Sequence, residues 1–300
     1  LAAKKEVGAN TVNRELTAIA YLGSMKLGAT SPQLFRGSDQ QLYVVKLLGN
    51  RVGPKALANE FLAAELGEQL GLCFPASGVI SIDKQLLAKN RRLRRAGVVA
   101  GPHFACKYIS KTFYVDRTSL NRVVNKAEMA GVMLFDHLVH NVDRTVNRKN
   151  LIIRREATGY RMYAIDHSHL FKRGRWTAAQ LAALEKDLSV NTRRTYGLLL
   201  KHFLQPEDFS PYAQAIRQWS DEYLTQTVAA IPEQWLTDQA ERQALLNHLL
   251  CRRNQIDEIM ASLTRLIPQA HHKTQPEPVL IEVQEPDETV TQSEEPFLAE

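Results

Sequence analysis

The sequence predicts an α+β protein. A β-rich first part spans 1–112, a helical second part 113–268 and an acidic, proline-bearing end 269–300. Three observations lead there. Short β-branched and aromatic runs separated by polar turns fill the stretch from Thr30 to about Ser110. After about Phe113, apolar residues recur at helical spacing. Past Pro268 come Pro276, Pro278, Pro286 and Pro296 among carboxylates, a composition unable to bury enough apolar surface to fold.

Each element has its own signal. "QLF" and "LYVVKLL" flank "RGSDQQ", a polar turn containing Gly37 and Asp39, and read as a hairpin. "PKALANEFLAAELGEQLG" has Pro54 near its start, helical spacing of apolar residues, and Gly71 as a stop. "GVISI" and "HFACKYI" are further strands. Between them "KNRRLRRAG" reads as a solvated loop or helix face, with a phosphate- or nucleic-acid-binding patch as the alternative. "KAEMAGVMLFDHLVH" sets Met129, Val132, Met133, Phe135 and Leu138 on one buried face. "TAAQLAALEKDL", "RRTYGLLLKHFL", "YAQAIRQWSDEYLTQTVAAI" and "DQAERQALLNHLLCRRNQIDEIMASLTRLI" each read as a helix, the last opening with Asp238 and Glu241 at capping-box spacing.

Composition narrows the class. Hydrophobic and charged fractions of 44% and 23% are those of an ordinary soluble protein. No apolar run approaches the roughly 20 residues of a bilayer span, and no basic segment followed by an apolar one opens the chain. Cys73, Cys106 and Cys251 are isolated and lack metal-ligand spacing, which argues against a disulfide framework or zinc site and for a cytoplasmic setting. The formal charge is +6; residues 274–300 hold eight carboxylates and no Lys or Arg, leaving +14 on the rest. Such a body attracts phosphate ligands, nucleic acid or anionic surfaces.

The chemistry concentrates in "HNVDRTVNRKN", residues 140–150, where Asp143 stands among asparagines and cations. The strand "LIIR", the Gly-bearing turn "REATGY" and the strand "YRMYAID" follow. If that turn is centred near Thr158, antiparallel pairing sets Asn150 opposite Asp166 at the open end of the hairpin, beside Asp143. Converging oxygen ligands of this kind suit Mg²⁺, which keeps waters and substrate phosphates in its remaining positions. Phosphoryl transfer needs these parts: a carboxylate for the attacking hydroxyl, and an Asn and an Asp holding metal against the phosphates. Arg144, Arg148 and Lys149 would favour a polyanionic ligand. Upstream, Lys46 ends an apolar strand from which it could reach phosphates, and Glu60 on the next helix could pair with it. "GSMKLGATSP" offers Gly23 and Gly28 among small residues, so its backbone could approach phosphates.

Together "LYVVKLLGN", "LANEFLAAELGEQLGLCFP", "FDHLVHNVDRTVNRKNLII" and "YAIDHSHLF" resemble the HipA-like kinases, relatives of the phosphoinositide and protein kinases, from about Gly23 to Phe171. The resemblance implies a bilobal protein-kinase-like fold, with an ATP-binding β-rich N-lobe and a helical catalytic C-lobe. It implies ATP and Mg²⁺ as cofactors and transfer of phosphate to a protein hydroxyl. Lys46 would then hold phosphates, Asp143 would be catalytic, Asn150 and Asp166 would bind metal, and Lys107 and Tyr108 of "HFACKYIS" would present backbone to adenine. A protein substrate is the expected partner, and a separate regulatory chain a candidate one. Related kinases place the metal Asn five residues after the catalytic Asp. That position is Arg148, so Asn147 stands beside Asn150 as the alternative, and "DHS" replaces Asp-Phe-Gly. The rival readings are a pseudokinase that binds nucleotide without transfer and a basic nucleic-acid-binding protein.

Overall fold

The computed structural model describes residues 16–25 and 30–268. Strand β1 (Leu16–Ser24) leads into the hairpin β2 (Gln33–Gly37) and β3 (Leu42–Lys46), followed by helix α1 (Lys55–Gln69) and β4 (Ser77–Ile82). Two short helices, α2 (Lys84–Lys89) and α3 (Arg91–Arg95), precede β5 (Gly101–Lys107). The five strands close into a barrel in the order β1-β2-β3-β5-β4, sealed by a short parallel pairing of Leu16 with Ile80 and Thr17 with Ser81. Strand alternation sorts the side chains. Phe35, Val45, Ile80, Ile82 and Ala105 fill the barrel, while Lys46 and its cross-strand partner Phe104 take the opposite face, towards α1. The basic run is helical in part: Asn90 accepts from the amides of Arg92 and Leu93, and only Leu93 of α3 is buried.

Helix α1 ends as its sequence dictates. Gly71 adopts φ +62, the Gly71 amide donates to Glu68 O and the Leu72 amide to Gly67 O, both at 2.9 Å. That is the Schellman closure, which glycine enters without a Cβ penalty.

The second part begins with β6 (Thr112–Tyr114) and α4 (Arg117–Asn121), then α5 (Glu128–Leu138), α6 (Asp143–Val146) and a 3-10 turn at Arg148–Asn150. Strands β7 (Leu151–Glu156) and β8 (Gly159–Ala164) join β6 in a sheet ordered β6-β7-β8. Helices α7 (Ala178–Leu184), α8 (Thr195–His202), α9 (Pro206–Arg217), α10 (Asp221–Ala229), α11 (Gln239–Asn254) and α12 (Ile256–Thr264) complete it. Helix α5 is buried on all sides from Met129 to Leu138, Asp136 and His137 included, so the expected single buried face understates its position.

Two stretches expected as single helices are broken. At Ser220 the hydroxyl accepts from the Tyr223 amide and starts α10 afresh; at Gln255 the chain turns between α11 and α12. Asp238 caps α11 as its spacing predicts, but Glu241 does not reach back to complete a box: its carboxylate takes Lys55 Nζ at 2.6 Å. Among the described residues no helix is long and apolar enough to cross a membrane. The acidic end, 269–300, and Gly28 lie outside the described residues.

Candidate active site

The open end of the β7–β8 hairpin faces the end of β3. Lys46 is 7% exposed at that end, and its ammonium donates to Glu60 of α1 and, at 2.7 Å, to Asp166 Oδ1. Burial works against the lysine's charge, but Asp166 and then Glu60 more than reverse it, and the ammonium stays protonated beyond lysine's ordinary range. Burial likewise opposes the Asp166 carboxylate, yet Lys46 and Ser168 hold it well below the usual carboxylate range. Ser168 Oγ donates to Asp166 at 2.7 Å and lies 3.0 Å from His169 Nδ1. Asp166 itself sits at φ +60, a strained backbone region for a residue with a Cβ, at the point where the chain leaves β8. The His167 amide donates to Glu60 at 2.9 Å, so α1 and the residues after β8 share one carboxylate.

Asp143 opens α6. Its carboxylate accepts from the side-chain amide of Asn150 at 2.7 Å, and the Asn150 oxygen accepts from Asn147 at 3.0 Å. Asn147 also accepts from the Lys149 amide. The hairpin register differs from expectation by one residue. Glu156 pairs with Gly159 across a two-residue turn, Leu151 with Ala164, and the Ile165 amide donates to Asn150 O at 3.0 Å. Asn150 is therefore opposite Ile165, and its side chain engages Asp143 while Asp166 engages Lys46. Gly159, at φ +148, lets the start of β8 lie against the chain just after α4, since a Cβ there would come within 2.6 Å of Arg122 O.

Arg144 is not a phosphate-facing cation. It is 2% exposed, and its Nε donates to Asp136 Oδ2 at 2.8 Å. Nη1 donates to the carbonyls of Asn150 at 2.9 Å and Ile165 at 2.8 Å, the residues that close the hairpin. Tyr196 OH and the Asn141 side chain also donate to Asp136. This buried brace was not anticipated. Its signal was a carboxylate, Asp136, inside an otherwise apolar helix, where an unpaired charge is rarely tolerated.

The remaining expected residues fall as follows. Gly23 sits in β1 at φ +142 with open space where a Cβ would be, at the start of the connection to β2. Lys107 ends β5 and Tyr108 follows it, but both amides are already engaged: Lys107 donates to Ala76 O at 2.7 Å and Tyr108 to Leu42 O at 2.8 Å. A base recognised there would have to use other backbone groups of this segment. Among the described residues no three His, Cys, Asp or Glu side chains cluster as a metal cage. A carboxylate and a carboxamide are oxygen ligands that Mg²⁺ accepts when phosphates and waters supply the rest of its shell, so the chemistry of Asp166 and Asn150 fits it.

The HipA-like kinase family model matches residues 19–269, and the chain belongs to that family. Its class is therefore that of the kinase-type phosphotransferases. No curated protein matches the sequence. Among solved structures, the chain is similar to the Helicobacter pylori proinflammatory kinase CtkA at 13% identity and TM-score 0.49, over 81% of this chain and 94% of that one. The Golgi casein kinase with Mn/ADP bound gives 10% and 0.43, over 84% and 72%. HipA of Shewanella oneidensis MR-1, in complex with HipB and operator DNA, gives 14% and 0.36, over 75% and 60%. The family match carries the assignment; these distant likenesses do not.

Proposed function

We propose that the protein is an ATP- and Mg²⁺-dependent kinase that transfers the γ-phosphate to a serine or threonine hydroxyl of a protein, its barrel and helical parts acting as the two lobes. The observation that carries this reading is the buried cluster in which one ammonium, Lys46, joins Glu60 on α1 to Asp166 beside the Asp143–Asn150 pair. Glu60 fixes the lysine so that it can meet phosphate oxygens without reorganising. Asp143 orients the acceptor hydroxyl and takes its proton as the new phosphorus–oxygen bond forms and the bond to ADP breaks. Asn150 and Asp166 would hold the metal, which when bound neutralises charge on the phosphates. Gly23, near the end of β1, would let backbone approach them.

The test incubates the purified chain with labelled ATP, Mg²⁺ and cell lysate, comparing wild type with Asp143→Asn. Labelled protein should form and fall at least about a hundredfold in the variant, roughly 2.7 kcal/mol of barrier, while Mg²⁺-ATP still raises its Tm. A Tm shift without transfer in the wild type would make the protein a nucleotide-binding pseudokinase. Absence of both would remove the nucleotide altogether.

A further inference from the structure

The outer strand of the small sheet, β6, carries two consecutive aromatics that none of the described residues covers. Phe113 is 60% exposed and Tyr114 43%. Neighbouring strand residues point to opposite faces, so a strand with one covered face should hide one of the pair. Here neither is hidden.

This edge lies beside the catalytic loop. Tyr114 pairs with Ile152, two residues beyond Asn150, and Lys149 Nζ stands 5.9 Å from the Tyr114 ring centroid. Lys111, Arg148 and Lys149 are exposed around it, and among the described residues none has a carboxylate within ion-pair distance. Val146, also exposed, ends the short helix that Asp143 begins.

We infer that this edge is the acceptor-docking surface, and that it takes an extended protein segment with acidic residues and an apolar side chain near the phosphorylated hydroxyl. The inference rests on the kinase reading only for the role of Asp143. Lys149 adjoins Asn150, whose amide is 2.7 Å from Asp143, so the cations reach residues a few positions from the hydroxyl at about 3.3 Å per extended residue. Three exposed cations that meet no carboxylate among the described residues select carboxylates. Phe113 and Tyr114 supply an amphipathic contact, and the free side of β6 offers backbone pairing to an extended chain. A nucleic acid strand would also find cations and rings here. It would, however, bring its phosphates close to the carboxylate of Asp143 with no base-edge reader in view, so the peptide is favoured.

Fluorescence anisotropy on the full chain would decide it. The probes are a labelled serine peptide flanked by Glu and Phe, the same peptide with Lys for Glu, and a random single-stranded oligonucleotide. The acidic peptide should bind at least about tenfold more tightly than its lysine counterpart. Lys149→Glu and Arg148→Glu should each remove most of that preference, with the Mg²⁺-ATP Tm shift intact. Phe113→Ser with Tyr114→Ser should raise the peptide KM and leave kcat within about twofold, as loss of uniform binding requires. Equal binding of the two peptides, or charge reversals without effect, would overturn the surface. So would an oligonucleotide whose binding alone is lost in the variants. Selective peptide binding without phosphate transfer supports the surface and overturns the kinase reading instead.

Discussion

Arg144 carries a charge that solvent does not reach, next to the aspartate assigned to catalysis. Because Asp136 shares that burial, removing the guanidinium leaves a carboxylate with no cation. Arg144→Ala should cost about 3–5 kcal/mol in urea unfolding; a loss within the few tenths typical of a surface change would contradict the brace. Arg144→Lys keeps the charge but not the planar fork that spans Asp136 and the two carbonyls. It should lose transfer more than stability. Histidines give a second expectation. His103, His137, His140, His167 and His248 are all buried. Burial chiefly lowers their pKa, to about 4 for His103 and His248 and about 3 for His140, where Arg252 and His248 add to the effect. His137 and His167 shift the same way. Between about pH 4 and the ordinary value of about 6.5, the unfolded chain therefore binds more protons than the folded one. Stability rises with pH across that window and is lost as pH falls through it, by up to about 1.4 kcal/mol per pH unit for each histidine. Urea midpoints measured from pH 7 down to 4.5 check it, and a flat profile would be inconsistent with neutral buried rings.

At the scale of elements, contacts at the open end of the β7–β8 hairpin distinguish the two asparagines. Asn150 touches Asp143 directly, whereas Asn147 touches Asn150. Asn150→Ala should cut transfer at least about a hundredfold, near 2.7 kcal/mol, with partial rescue by excess Mg²⁺ or Mn²⁺. Asn147→Ala removes one positioning bond of about 1 kcal/mol and should cost about tenfold or less. The reverse order of damage would move the metal role to Asn147. Much of the hairpin was readable: two apolar runs around a Gly-bearing turn announce it, as Pro54 and Gly71 announce α1. The register was not, because a one-residue difference in where the turn centres moves every pair, and "REATGY" permits either. The breaks at Ser220 and Gln255 escaped for a related reason: apolar spacing continues across them, while the Ser220 cap starts a new helix and the Gln255 backbone leaves helical geometry. The ion cluster was legible in Lys46, Glu60 and Asp166 as types at the right positions. The Asp136–Arg144–Tyr196 brace was not, since it joins residues 60 positions apart whose pairing only the fold creates. The exposed edge strand β6 also went unread, being three residues long.

For the molecule as a whole, the ion cluster between β3, α1 and the end of β8 depends on one lysine. Lys46→Ala leaves Glu60 and Asp166 facing each other without their cation. Apo stability should fall by about 3–5 kcal/mol, and the Mg²⁺-ATP Tm shift, worth about 2.7 kcal/mol at a hundredfold excess over Kd, should shrink or vanish. A variant with normal apo Tm and a full nucleotide shift would separate Lys46 from both roles.

Helix α1 lies between barrel strands β3 and β4 in sequence but is fastened to the helical part. Asn59 donates to the carbonyls of Ser168 and Gly174 and accepts from Trp176 Nε1, Lys55 holds Glu241 and the Trp176 carbonyl, and Glu60 receives the His167 amide. Among the described residues, Glu60 to Lys46 is the side-chain hydrogen bond from α1 to a barrel strand. In mechanical terms the helix is a bracket bolted to the helical part, and Glu60–Lys46 is the polar rivet that ties a barrel strand to it, beside the apolar packing of Phe104. On the proposed kinase reading, weakening that rivet would free the barrel strand at the lysine that meets the phosphates.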